Sequence, residues 1–322
     1  GKKKHLHTDE RHGFYMEYIK GSKDFQFNNC AVTLGKFDGI HLGHQYLLDA
    51  IISYKKQGYK AVMFTFDIHP YNLLSNKEFT QIYTEEEKLA KLSRTGLDAL
   101  ISFPFTAETM KQEPEDFIKK ILVDKLDAKV IVVGEDFRFG HKRRGDVALL
   151  EQYANTYGYK VIACEKRKFH DRIISSTAIR AELAEGKMEE VNAMLGQPYM
   201  IMGEVLHGRR IGRTLGMPTT NIVPDPSKLL PPCGVYPSKT SIRGNSYYGV
   251  TNIGYNPTVG VVPSKRVETF IFDFDEDLYG QIIEVELMTY LRPELKFDSL
   301  EELKIRMEED IEFARKYFKL DK

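Results

Sequence analysis

Residues 30–44 read Cys30-Ala31-Val32-Thr33-Leu34-Gly35-Lys36-Phe37-Asp38-Gly39-Ile40-His41-Leu42-Gly43-His44, and the folding of this run decides the first half of the chain. Residues 30–34 carry no charge, as suits a strand buried within a parallel sheet. The glycine-punctuated stretch after them reads as a turn, and the amphipathic pattern over 44–56 as a helix. The alternation recurs downstream. Strands are predicted at 61–66, 99–103, 130–133 and 160–163, and helices at 85–93, 114–125 and 147–157. Strands joined through helices require crossovers, so the expected fold is a doubly wound α/β domain with a parallel sheet covered on both faces. Helices over 177–185 and 188–195 close it.

At Gly196-Gln197-Pro198 the pattern changes. Strand-like runs at 200–206, 235–242, 247–252, 267–274 and 281–289 follow one another without helices, as in an antiparallel barrel or sandwich. A last helix starts at Ser299, with Glu302 completing a capping box. Leu300, Leu303, Met307, Ile311, Ala314 and Phe318 recur at helical spacing and predict a core face. The expected division is 16–196 and 197–322. Residues 1–15 are read as an extension or a remnant of cloning, with Met16 a candidate natural start.

Composition sets outer limits. The chain has 322 residues, enough for two domains, with 46 basic and 46 acidic side chains and no net charge. A protein that coats nucleic acid or an anionic membrane carries a basic excess, so neither is an expected partner. No apolar run approaches the ~18 residues of a membrane span, and no signal-peptide core follows Gly1-Lys2-Lys3-Lys4. Cys30, Cys164 and Cys233 form neither a disulfide framework nor a CxxC pair, which points to a reducing cytoplasm. Oligomeric state leaves no mark in the sequence.

Three stretches of the first half carry chemistry. His41 and His44 open a helix where free N–H groups and the helix dipole favour an anion, suiting phosphoryl chemistry. Gly35 and Gly39 allow close backbone approach, and Gly43 leaves room between the imidazoles. The competing readings are a zinc pair, which lacks a third ligand, and two solvated histidines. Ile174-Ser175-Ser176-Thr177-Ala178-Ile179-Arg180 opens another helix. Ser176 or Thr177 serves as its N-cap, or their hydroxyls join Arg180 on the outer phosphates of a nucleotide. Gly134-Glu135-Asp136-Phe137-Arg138-Phe139-Gly140 runs into His141-Lys142-Arg143-Arg144, either a ligand loop or a solvated charge run. Thr65-Phe66-Asp67-Ile68-His69-Pro70 is a comparable loop.

In the second half, Gly208 to Asn221 contains three glycines and a proline and reads as a loop, either a turn-rich hairpin connection or a phosphate loop whose Arg209, Arg210 and Arg213 suit a polyphosphate. It is no Walker A loop, since the Gly-Lys-Ser/Thr ending is missing. Thr219 and Asn221 offer oxygens two residues apart, plausible ligands for Mg²⁺ shared with phosphates. Glu268 lies in an otherwise apolar run, either an outward-facing charge or a general base.

The HxGH pair, the Ile-Ser-Ser-Thr-x-Ile-Arg element and the Gly-x-Asp-Phe-x-Phe-Gly loop, in that order, resemble the adenylyltransferase half of prokaryotic bifunctional riboflavin kinase/FAD synthetase. Gly212-Arg213-x-Leu215-Gly216-x-Pro218-Thr219-x-Asn221 resembles the riboflavin kinase signature. Gly234-Val235-Tyr236, Asn252-Ile253-Gly254, Pro257-Thr258, Glu268-Thr269-Phe270 and Arg292-Pro293-Glu294 accompany it. Lys36 stands where the family more often has Asn, adding a positive charge.

The resemblance implies an HxGH nucleotidyltransferase-like α/β domain followed by a riboflavin kinase barrel with a C-terminal helix. It implies small-molecule substrates (ATP, riboflavin and FMN, with FAD as product) and Mg²⁺. His41, His44 and Arg180 are then catalytic in the first domain, with Gly35, Phe37, Asp38, Gly39, Gly43, Asp136, Ser176 and Thr177 binding nucleotide. Glu268 is the kinase base, Gly208, Arg213, Gly216, Thr219, Asn221 and Arg292 bind substrates, and Thr219 and Asn221 hold the metal. The alternatives are a monofunctional FAD synthetase with an inactive kinase-like domain, and a non-catalytic flavin sensor.

Overall fold

The computed structural model describes residues 4–9, 14–67, 80–207, 216–255 and 265–320. It divides into two compact units. One comprises Gly1–Phe79 and Lys88–Ile174, the other Thr80–Glu87 and Ser175–Lys322.

The first unit is built on β1 (Lys4–Asp9), β2 (Phe14–Lys20), β3 (Cys30–Leu34), β4 (Lys60–Asp67), β5 (Ala99–Pro104), β6 (Ala128–Gly134) and β7 (Lys160–Cys164). Their order across the sheet is β1-β2-β5-β4-β3-β6-β7, parallel except for β1, which pairs antiparallel with β2. Residues 4–9, set aside in the sequence reading, are thus a strand. Helices α1 (Leu42–Ser53) and α2 (Glu85–Leu92), the short turn α3 (Ala107–Met110), α4 (Pro114–Phe117, running on as a π-helix over Ile118–Val123) and α5 (Val147–Tyr157) connect them.

Alternation along the strands makes two cores. Cys30, Val32 and Leu34 pack with Phe117, Ile118 and Leu150 on one face. Ala31 turns to the other face with Leu47, Leu48 and Ile51 of α1. Apolar residues pointing both ways are why every central strand reads as an unbroken hydrophobic run. From β3 the chain moves one way to β4 and β5, then returns across β3 to β6 and β7. The C-terminal ends of β3 and β6 therefore flank the point where strand order reverses, the usual ligand crevice of such sheets. A small hairpin of β8 (Lys168–Phe169) and β9 (Arg172–Ile173) follows β7.

The second unit contains α6 (Ser176–Ala184), α7 (Met188–Leu195), β10 (Tyr199–Glu204), β11 (Thr219–Ile222), β12 (Gly234–Ile242), β13 (Asn245–Tyr255), β14 (Lys265–Ile271), β15 (Ile282–Leu287) and α8 (Leu300–Tyr317). Its strands are antiparallel in the order β10-β15-β12-β13-β14-β11. The two edges meet at a Val205–Ile222 bridge, where the Leu206 N–H donates to Asn221 O at 2.8 Å, closing the sheet into a barrel. Gly203 is required there, because a Cβ would collide with Ile222.

A buried ion pair fixes Thr80–Glu87 in this unit. Lys228 Nζ donates to Glu87 Oε2 at 2.6 Å, Ile82 O at 2.8 Å and Met200 O at 2.7 Å. It lies 4.7 Å from the centroid of Tyr83 and 4.2 Å from that of Tyr199. Helix α7 also belongs with the barrel, since Asn192 donates to Leu287 O and accepts from the Tyr199 N–H. On α8 the expected core face is only half buried. Ala314 is fully covered and Arg292 pairs with Asp310, but Leu300 is 54% exposed. No described helix is long and apolar enough to cross a membrane.

Candidate active sites

The turn after β3 is wound tightly. Phe37 (φ 50°), Gly39 (φ 88°) and Ile40 (φ 43°) all take left-handed angles, and two of them bear side chains that rarely do so. Such strain persists only where the surroundings fix it, here by burying Phe37 and Ile40. The turn ends at His41, which caps α1 by accepting the His44 N–H on Nδ1 at 3.3 Å. The two imidazoles stack, with centroids 3.6 Å apart and planes 18° from parallel. Phe37 meets His44 edge-on at 5.2 Å. A Cβ at Gly43 would press on His41 Cε1 and Nδ1 at 3.0 and 3.1 Å, so glycine gives the stack its room.

Burial decides the charge state of the pair. His41 is pushed down to about 4 by loss of water, against the opposing pull of Asp38. His44 falls well below its ordinary value through burial first, then through the positive charges of His41 and Lys88. Both are neutral at pH 7. Because His41 Nδ1 accepts a hydrogen bond, its proton sits on Nε2, which is left as a donor. His44 Nδ1 is buried without a hydrogen-bond partner among the described residues. Among the described residues no group of three or more His, Cys, Asp or Glu could hold a metal.

Asp136, in the loop after β6, pairs with Lys166 at 2.8 Å. The basic run beside it is partly spent within the protein, with Arg138 on Asp146 at 2.6 Å and Arg144 on Glu113. In the second unit, the N-cap of α6 is Ser175, whose Oγ accepts the Ala178 N–H at 3.1 Å. This corrects the expectation that Ser176 or Thr177 caps the helix. Both lie in its first turn instead. Arg180 Nη2 donates to Thr80 O at 2.7 Å and Nη1 to Thr80 Oγ1 at 3.3 Å.

Pairing of β11 with β14 brings together the residues expected of the kinase. Asn221 lies opposite Glu268 and Thr219 opposite Phe270, while β13 places Asn252 on the other side of Glu268. Asn221 Nδ2 donates to Glu268 Oε1 at 3.1 Å. Val267, Thr269 and Ile271 fill the barrel interior, so Arg266, Glu268 and Phe270 share the opposite, half-exposed face. The inner face is anchored by hydroxyls, as Thr251 bonds Ser238 at 2.7 Å and Thr269 at 2.8 Å.

Arg266, which donates to Asn221 Oδ1 at 3.4 Å, was missed in the sequence, although it stands two residues before Glu268 and the strand period puts both on one face. Glu294 joins the cluster through Asn252 at 3.4 Å, and its carboxylate lies against Gly254. Arg292 is buried and bound to Asp310 and to Pro293 O. Gly216 (φ 77°) turns the chain into β11. Gly208, Arg213, His69 and Pro257-Thr258 lie outside the described residues. The oxygens of Thr219, Asn221 and Glu268 on one face are a hard donor set. That set fits Mg²⁺, provided phosphate oxygens complete the shell.

A neutral histidine pair at a switch point, joined in one chain to a barrel bearing a Thr-Asn-Glu face, defines a class of two-unit nucleotide-dependent transferases. The FAD synthetase family model matches residues 23–178 and the riboflavin kinase model residues 195–318. A bifunctional riboflavin kinase/FMN adenylyltransferase of Buchnera aphidicola is 38% identical over 313 residues, covering 95% of this chain and 100% of the relative. Enzymes of the same name from Listeria monocytogenes and Escherichia coli K12 are 36% and 35% identical, over 94% and 91% of this chain and 97% and 94% of theirs. A solved structure from Streptococcus pneumoniae, titled a macrolide-efflux protein, superposes with a TM-score of 0.80 at 30% identity, covering 93% of this chain and 98% of that one. The chain belongs to the bifunctional riboflavin kinase/FMN adenylyltransferase family.

Proposed function

We propose that the two activities naming the family divide over the chain, with riboflavin phosphorylated by residues 197–322 and FMN adenylylated by residues 16–196. The kinase step removes a proton from a primary alcohol as its oxygen attacks the γ-phosphorus of ATP and ADP leaves. Glu268 takes that proton, and Asn221 holds the carboxylate through the 3.1 Å hydrogen bond. This contact is the observation that carries the assignment. Thr219 and Asn221 hold Mg²⁺, which neutralises phosphate charge when bound. Gly208, Arg213 and Gly216 form the phosphate loop, and Arg292 acts by fastening the 290–294 segment to Asp310.

FMN already presents an anionic phosphate, so its attack on the α-phosphorus with loss of pyrophosphate needs no base. The neutral pair supplies donors, chiefly His41 Nε2–H, as charge builds on the phosphoryl oxygens. Gly35, Phe37, Asp38, Gly39, Gly43 and Asp136 shape the nucleotide site. Ser176, Thr177 and Arg180 bind outer phosphates. Free cysteines and small-molecule substrates support a cytoplasmic enzyme that works without nucleic-acid or membrane partners. Incubation with riboflavin, ATP and Mg²⁺ followed by chromatography tests the reading: FAD is expected. FMN alone leaves only a kinase, conversion of added FMN alone leaves only a synthetase, and binding without product leaves a flavin sensor.

A further inference from the structure

Two adjacent side chains on the loop after β7 reach in different directions. Lys166 Nζ lies 2.8 Å from Asp136 Oδ2 in the loop after β6. The Arg167 guanidinium lies over the ring of Tyr46 on α1, 3.8 Å from its centroid. A backbone bond from the Glu135 N–H to Cys164 O at 3.0 Å reinforces the first tie. Since β3, β6 and β7 are neighbours in the sheet, one loop fastens both others at its C-terminal edge. The helix seized by Arg167 is the one that carries His44 two residues before Tyr46.

Arg167 makes no side-chain hydrogen bond or ion pair to the described residues, so the ring is what orients it. Tyr46 remains 42% exposed, and the guanidinium covers part of its face. A guanidinium can both stack on that face and hold its charge over it.

We propose that this loop is a brace for FMN adenylylation, in which Arg167, seated on Tyr46, is a positioning residue that keeps the histidine turn and the Asp136 loop in mutual register. The proposal rests on the reading that the α/β unit makes FAD. Its physical basis is that phosphoryl transfer without a base depends on placement, where shifts near 1 Å cost up to ~10²-fold.

The test uses the full chain with FMN, ATP and Mg²⁺. Arg167→Gln and Tyr46→Leu are each expected to lower kcat for FAD by about 10-fold with KM for ATP held within about two-fold. The double variant should be no slower than the slower single variant, because the two side chains act as one unit. Tyr46→Phe keeps the ring and should keep the rate, and riboflavin phosphorylation should be unchanged throughout. Wild-type rates in both single variants, losses that multiply in the double, or a Tyr46→Phe enzyme as slow as Tyr46→Leu would overturn the brace. So would a loss confined to KM, which would make Arg167 a direct phosphate ligand. Failure of the wild-type chain to convert FMN would instead overturn the parent reading.

Discussion

The two units treat charge in opposite ways. The α/β unit buries its two imidazoles until they are neutral and offers them as donors. The barrel unit instead sets ionisable side chains against partners, Glu268 against Asn221, Lys228 against Glu87 and Arg292 against Asp310. The nucleophiles explain the difference at the sites. A phosphate arrives already anionic and needs donors, whereas an alcohol needs an acceptor for its proton.

Crossed substitutions test this contrast most sharply. Glu268→Gln is expected to lower FMN formation by about 10³-fold while added FMN is still converted to FAD. His44→Ala is expected to do the reverse, lowering FAD formation by ~10²-fold or more. Separate assays with riboflavin and with FMN read both outcomes. Parallel loss of the two activities in either variant, with circular dichroism unchanged, would erase the distinction between the units.

The buried pair extends the contrast from chemistry to stability. Glu87→Gln leaves Lys228 charged in a site where both side chains are 1% exposed, an arrangement that costs about 3–5 kcal/mol. Urea unfolding followed by tyrosine fluorescence should show that loss for Glu87→Gln and for Lys228→Met. The double change Lys228→Met with Glu87→Leu should recover only part of it: no orphan charge remains, but Ile82 O, Met200 O and the Thr84 and Met202 N–H groups lose their partners. Singles as stable as wild type would mean that water reaches the pair.

That pair also marks where the sequence stops being informative. Glu87 in the acidic first turn of α2 looks like part of a solvated face, and nothing links it to Lys228, 141 positions away. By contrast β3, α5 and α7 were legible because each is a short run with one unambiguous period. Strand β11 read as loop, since its Thr-Thr-Asn follows a glycine- and proline-rich stretch. Only pairing with β14 makes it a strand, and only that pairing puts Asn221 against Glu268. The stripe on α8 predicted a core face but could not report how much of it the barrel covers. The histidine turn was readable as residues, while the stacking and the neutral charge state depend on burial that no local pattern encodes.

Neutrality has its own signature in acid. Unfolded His41 takes up a proton near 6.5, whereas the folded protein resists until about 4. Between those values the unfolded chain binds the additional proton, so stability falls as pH drops from 6.5 toward 4, and above 6.5 this contribution is constant. At about 1.4 kcal/mol per pH unit the His41 share of the loss is ~3 kcal/mol, and His41→Gln should remove that share while leaving the contribution of His44, which is shifted in the same direction. Urea midpoints at pH 7 and 4.5 measure the difference. FAD formation should accordingly show no ionisation near 6.5 that His41→Gln abolishes. Finding one would mean that the imidazoles work as acids or bases after all.

The smallest effect separates holding a helix from holding a substrate. Ser175 caps α6 and Ser299 caps α8, each hydroxyl accepting a backbone N–H at 3.1 Å. Either serine replaced by alanine should lose ~1 kcal/mol of stability, because one N–H at the helix start goes unpaired. Their consequences should then diverge. The first turn of α6 carries Ser176 and Thr177, so fraying it should slow FAD formation by a few-fold beyond any loss of folded protein. The first turn of α8 carries no proposed ligand, so Ser299→Ala should leave FAD formation unchanged. Equal rates in the two variants, measured with FMN and ATP at matched folded fraction, would remove Ser176 and Thr177 from the phosphate site and reduce that element to a capped helix.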